Sequence, residues 1–163
     1  MKKLLILLLL PLFSFSQTYD DIVSINSLDT WKKVVIENGY EFANVDFDSE
    51  DWVTYGYGVT RDSNDAFTSA KIMSSYNIKD GRFSFQIPMK YESWFGIEEE
   101  TEMSKRYYSI SEEIKANCEY SEIINYKDDD FVVYNCSNRK YGFAIGVSTW
   151  GIIRYFPDGV TEE

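Results

Sequence analysis

Ile36-Glu37-Asn38-Gly39-Tyr40-Glu41-Phe42 and Ile114-Lys115-Ala116-Asn117-Cys118-Glu119-Tyr120 are the two stretches on which the reading of this chain turns. Each closes a segment with apolar residues at helical spacing and opens one rich in Val, Ile, Phe, Tyr and Thr, so each marks a step from helix to strand. Before the first, Ser27 stands where a helix cap belongs. Leu28, Trp31, Val34 and Val35 then share a face, and Gly39 suits the left-handed residue that ends a helix. Before the second, Met103, Tyr107, Ile110 and Ile114 share a face, while Ser109, Ser111 and Glu112 leave one helix or two short ones open.

Working outward, each stretch leads into four short runs separated by turn residues. The first set reads as strands over 41–47, 52–60, 67–77 and 82–88, divided at 48–51, 62–65 and 79–81. The second reads as strands over 119–126, 131–137, 140–149 and 151–156, with Asp128-Asp129-Asp130 and Asn138-Arg139 as turns. The correspondence extends to residues. Trp52 to Tyr57 aligns with Phe131 to Cys136, Ala70 to Tyr76 with Ala144 to Trp150, and Gln86-Ile87-Pro88 with Tyr155-Phe156-Pro157. The expectation is an α+β fold, a tandem duplication of a helix followed by a four-stranded antiparallel meander, with the helices on one face of the sheet or sheets. Residues 17–88 form the first unit, 89–97 an irregular connection and 98–163 the second, in one compact domain overall.

This alignment sets Cys118 in the place of Tyr40 and Cys136 in the place of Tyr57. The helix end and the second strand should therefore touch in both halves, through a Cys118–Cys136 disulfide in one and a pair of tyrosine rings in the other. Residues 1–16 fit that chemistry. Lys2 and Lys3 precede an apolar run, and Ser14 and Ser16 hold the small-residue positions of a signal-peptidase site, which places cleavage before Gln17. The run falls short of the ~20 apolar residues a membrane span requires, so stable membrane insertion is not expected. An exported chain, periplasmic or secreted, meets oxidising conditions in which two cysteines pair.

Composition narrows the function. The chain has 163 residues, 27 acidic against 16 basic, a formal charge of −11 and no histidine. With no basic cluster beyond the first residues, it lacks the phosphate-neutralising surface that nucleic-acid affinity rests on. Without histidine there is no Ser-His or Cys-His pair and no usual catalytic zinc set. Asp46, Asp48, Glu50 and Asp51 superficially suggest a calcium loop, but the glycine at the sixth position is missing and Tyr57 stands where the twelfth-position glutamate should be. They read as a charged hairpin turn, as do Asp128 to Asp130. Glu98, Glu99, Glu100 and Glu102 read as carboxylates favouring the second helix's N-terminus. Gly56 and Gly58 lack the lysine of a phosphate loop and read as strand glycines. No metal, cofactor or catalytic residue is expected.

Aromatic residues make up 17% of the chain. Tyr91, Trp94 and Phe95 fall in the connection between the units, where neither helical nor strand periodicity accounts for them. They either plug the core between the units or form a binding patch.

The order of elements resembles that of the beta-lactamase inhibitor protein family, a secreted two-repeat α+β fold; the similarity is one of element order and transfers no binding residues. In its leader and in Ser27 to Tyr40 the chain also resembles small exported bacterial proteins of no characterised function, which implies no activity. The reading is an exported, non-enzymatic binding module that contacts another protein through a sheet face or inter-unit groove. The alternative is glycan or small-ligand binding on Trp and Tyr platforms, and a carboxylate-only hydrolase ranks third.

Overall fold

The start of the first long helix follows directly from its sequence: Ser27 Oγ accepts the N–H of Thr30 at 3.2 Å and Thr30 Oγ1 accepts the N–H of Ser27 at 2.9 Å, a reciprocal capping box. In the computed structural model, which describes residues 17–45, 51–92, 98–100, 102–126, 129–136, 141–147 and 150–159, that helix is the second of three. A shorter one precedes it. The elements in chain order are α1 (Tyr19–Ser24), α2 (Leu28–Glu37), β1 (Glu41–Val45), β2 (Trp52–Tyr57), β3 (Thr60–Arg61), β4 (Phe67–Ser69), β5 (Ile72–Asn77) and β6 (Phe83–Pro88). They continue with β7 (Lys90–Glu92), β8 (Glu98–Glu100), α3 (Glu102–Asn117), β9 (Glu119–Tyr126), β10 (Asp129–Cys136), β11 (Tyr141–Val147) and β12 (Trp150–Phe156).

The fold is α+β, dominated by one antiparallel sheet of eight strands in the order β1-β2-β5-β6-β12-β11-β10-β9. Each end of that order is a meander of four sequential sheet strands, and the two meanders join through their last strands. Across the seam Phe83 lies opposite Tyr155, Ser84 opposite Arg154 and Phe85 opposite Ile153. The two outer pairs have matching registers. Glu41 faces Gly56, Phe42 faces Tyr55, and Ala43 bulges before Asn44 meets Thr54. In the other half Glu119 faces Asn135, Tyr120 faces Tyr134, and Ser121 bulges before Glu122 meets Val133. A bulge holds one unpaired residue and adds twist, so both edges bend at the same step.

The expected alignment fails in the inner strands. Tyr57 lies opposite Ile72 and Cys136 opposite Tyr141, so Ile72 corresponds to Tyr141 and the match of Ala70–Tyr76 with Ala144–Trp150 is out of register. Phe85 pairs with Ser74 as Tyr155 pairs with Phe143, which moves the counterparts of Gln86, Ile87 and Pro88 one residue beyond Tyr155, Phe156 and Pro157. That single step matters because it exchanges sheet faces: Ile87 points into the main core, whereas Phe156 packs on the opposite side. The helix ends differ too. Ile36 is 55% exposed while Ile114 is fully buried, and Val35 is the buried residue of α2 at that depth. The cause is the cap: Gly39, with φ 78°, lets Tyr40 N–H bond Val35 O and Gly39 N–H bond Ile36 O, while α3 runs straight to Cys118, whose N–H bonds Ile114 O.

Other elements differ from expectation. The stretch 17–26, for which the sequence suggests no element, contains α1, capped by Thr18 and Asp21 in a second capping box. Six residues are too few to show helical periodicity. The strands expected over 52–60 and 67–77 each break in two, because Gly58 at φ 62° turns the chain into the β3–β4 hairpin. The connection after Met89 is a hairpin as well: β7 pairs with β8, so Glu98 to Glu100 form a strand and do not begin a helix. The second helical segment is one continuous helix. Asp129 and Asp130 belong to β10, opposite Tyr126 and Asn125, so the turn expected at 128–130 already carries strand pairing.

Side chains from all three helices share one core with one face of the sheet. Trp31 is fully buried, its Nε1–H donates to Ser74 Oγ at 3.0 Å, and its ring meets Tyr55 and Tyr76, each at 5.4 Å. Cys118 and Cys136 are disulfide-bonded, and in the other half the rings of Tyr40 and Tyr57 lie 6.0 Å apart. The N-terminal segment ties the halves together. Tyr40 Oη donates to Gln17 Oε1 in the first half, while the Tyr19 hydroxyl meets that of Tyr141 in the second.

Gly151 allows α3 to lie close to the sheet: a Cβ there would stand 2.6 Å from both Met89 Sδ and Tyr107 Cδ2. Met89 can swing away, but the Tyr107 ring is anchored by its hydroxyl, which donates to Gly146 O at 3.1 Å. Gly151→Ala is therefore expected to destabilise the fold by about 1–3 kcal/mol, read as a lower urea midpoint at unchanged slope.

Candidate interaction surface

Alternation along the strands assigns every second side chain to the face away from the helices. In the first half that face carries Thr54, whose hydroxyl meets Ser75 at 2.8 Å, together with Ser84 and Gln86 and the half-buried Trp52 and Met73. Its polar members are ordinary choices for a face meeting water. In the second half the same face is apolar at its centre, with Glu122 and Asn135 beside it. Phe131, Val133 and Ala144 are buried in a cluster with Ile124, Ile152 and Phe156 that contains no helix residue. The Phe131 ring lies over Gly146, where a Cβ would come within 2.7 Å of it, and the Arg154 guanidinium sits 5.0 Å from the ring centre. Half-buried Trp150, Ile152, Arg154 and Phe156 succeed one another along β12 on this side. With Phe131, Val133 and Ala144 at 2%, 0% and 1% exposure, the accessible part of this face is the half-buried set Ile124, Trp150, Ile152, Arg154 and Phe156. These are aromatic and aliphatic side chains with one cation stacked on a ring, residue types enriched in protein interfaces.

A second feature is a cavity of about 350 Å³ where the α1–α2 link meets the β5–β6 turn and the end of β12, lined among others by Asn26, Tyr76, Asp80, Tyr155 and Asp158. Burial would raise the Asp80 carboxyl. The bonds from Arg82 prevail, with the backbone N–H at 3.0 Å, Nε at 2.9 Å and Nη2 at 2.7 Å, and hold it below its ordinary value. Burial, reinforced by Asp80, pushes the Tyr76 hydroxyl above its ordinary value. At neutral pH the cavity therefore presents a carboxylate beside a phenol, suited to hydroxyl-rich or cationic ligands.

The sequence-based candidates fare differently. Tyr91 lies in β7 opposite Glu99, and Trp94 and Phe95 lie outside the described residues. Of the first acidic cluster, Asp46, Asp48 and Glu50 also lie outside them. Asp51 lies in the turn before β2, its carbonyl accepting the Ile78 N–H at 2.7 Å. Among the described residues no group of three or more His, Cys, Asp or Glu side chains could hold a metal ion, and no helix is long and apolar enough to cross a membrane. Sequence reasoning missed Phe131, Ile152 and Arg154. The available signal was the lack of alternation in Phe131-Val132-Val133 and in Tyr141 to Val147, runs apolar on both faces. Set beside known proteins, the chain matches no family model, no curated protein and no solved structure.

Proposed function

We propose that the chain is an exported, non-enzymatic interaction module that binds another protein through the helix-free face of the second half. The observation that carries this reading is a difference between the halves: over the first meander the face mixes Thr54, Ser75, Ser84 and Gln86 with Trp52 and Met73, whereas over the second it packs Ile152 and Phe156 on a buried apolar cluster and stacks an arginine on Phe131. A face meant only for water gains nothing from Ile152 and Phe156 at positions where the first half keeps polar side chains. Export rests on the leader at 1–16, with cleavage before Gln17 and a disulfide suited to an oxidising compartment.

The two halves descend, in this reading, from one helix-plus-meander unit copied in tandem. Supporting it are the bulges at Ala43 and Ser121, the matching registers around them, and the edge-to-face ring pairs Phe42–Tyr55 and Tyr120–Tyr134. The later copy then gained Ile152 and Phe156 where the earlier one keeps Arg82 and Gln86, which is where new binding would arise.

Affinity capture from the native envelope fraction tests the surface. Wild-type protein and a control altered on the exposed side of α2, Lys33→Glu, should retain the same species. A variant carrying Ile152→Glu and Arg154→Ala should lose it by at least tenfold while keeping its circular dichroism spectrum. Equal capture by all three would remove the surface from consideration. The second reading, a glycan or small ligand, is favoured by the cavity at Tyr76, Asp80 and Tyr155; retention on a polysaccharide panel that is lost with Tyr155→Ala would support it instead.

A further inference from the structure

Gln17 is only 6% exposed, yet its amide is half satisfied: Oε1 accepts the Tyr40 hydroxyl at 3.0 Å, while Nε2 is buried with no hydrogen-bond partner. A primary amide carries two N–H donors there, and leaving them without acceptors is penalised. If the chain is cleaved before Gln17, a step on which this inference rests, the same residue also carries the α-amino group within reach of its own side-chain amide. One reaction removes the unpartnered amide nitrogen and neutralises the terminus. We propose that Gln17 is a modification site, at which the mature N-terminus cyclises to a pyroglutamyl lactam that the fold accommodates better than glutamine.

The step balances without any co-reactant. The neutral α-amine attacks Cδ, and the new N–Cδ bond gives a tetrahedral centre whose oxygen is the former Oε1. The Cδ–Nε2 bond then breaks, and Nε2 leaves as ammonia with the proton released by the α-nitrogen. Nothing is oxidised or reduced. The product keeps a carbonyl oxygen for Tyr40, loses the unpartnered NH2 and carries no terminal charge. Tyr40 is suited to a positioning role, because burial pushes its hydroxyl well above the ordinary phenol range and keeps it a donor at any physiological pH. Its bond polarises the Cδ carbonyl and meets the oxygen on which negative charge develops, as a single oxyanion donor does.

The inference rests on cleavage before Gln17, and the test separates the two. The full chain, leader included, is expressed in an exporting host, recovered from the envelope fraction and measured by intact-mass spectrometry and N-terminal sequencing. A chain beginning at Gln17, lighter by one ammonia and blocked to sequencing, is the expected result. A chain beginning at Gln17 with full mass and a free amine overturns the cyclisation while leaving the cleavage intact; any other start overturns both. Two further readouts address the fold. Tyr40→Phe, which keeps the ring, should slow conversion of freshly exported chain by at least tenfold, and conversion of the wild type should raise its melting temperature by several degrees. An unchanged rate in the variant overturns the role of Tyr40, and an unchanged melting temperature overturns the claim that the fold favours the lactam.

Discussion

Replacing Trp31 by alanine is expected to cost about 5 kcal/mol of stability, enough to leave much of a typical domain unfolded at 37 °C. The indole is fully buried and fills the space between α2 and the first meander, against Tyr55 and Tyr76. Deleting it opens a cavity that three packed elements cannot all close. It also strands Ser74, which is completely buried and accepts the indole N–H. An unsatisfied buried hydroxyl adds about 1–3 kcal/mol to the cavity cost, so Trp31→Phe, which keeps an aromatic ring but loses the bond, should lie between wild type and alanine. Urea titration followed by circular dichroism reads the order. A Trp31→Ala midpoint close to wild type would mean that α2 does not dock on the sheet in this way.

Reduction of Cys118–Cys136 should produce the second largest effect. The bridge spans 18 residues, and closing a loop of that size is worth about 3 kcal/mol in the chain-entropy treatment. The far edge of the sheet rests on a single neighbouring strand. β9 pairs on one side only, and both Tyr120 and Ile123 on it are about 60% exposed. The disulfide fixes the end of α3 to β10, the strand that β9 relies on. Reductant should therefore lower the unfolding midpoint and release β9 amides to hydrogen exchange before those of β6 and β12. Coincident melts with and without reductant would contradict this assignment.

The elements legible in the sequence were those whose side chains repeat over several turns or strands. α2 declared itself through Ser27, Trp31, Val34, Val35 and Gly39, and the disulfide through the correspondence of Cys118 and Cys136 with Tyr40 and Tyr57. The outer strand pairs were legible because their aromatic residues sit in step with the bulges. The inner strands were not. Ala, Ser and Thr recur in both halves without marking a face, so matching Ser74 with Ser148 was as easy on paper as matching it with Phe143, its counterpart in the sheet. α1 is too short to display a period, and β7 and β8 take their structure from pairing with each other, which composition does not reveal. The candidate surface was hidden for a related reason. Apolar residues on both faces of β10 and β11 read as core, and among the described residues only the layout of the helices leaves one of those faces without a helical cover.

The proposed equivalence of the two halves is tested most directly by moving the sulfur bridge across. Tyr40 and Tyr57 occupy in the first half the positions that Cys118 and Cys136 hold in the second, and their rings already touch. The double variant Tyr40→Cys with Tyr57→Cys, oxidised in the folded state and titrated for free thiols, should show none, and peptide mapping should link residue 40 to residue 57 beside the native bridge. Two titratable thiols in the first half, with the native bridge still closed, would mean that the helix end and second strand do not meet there as they do in the second.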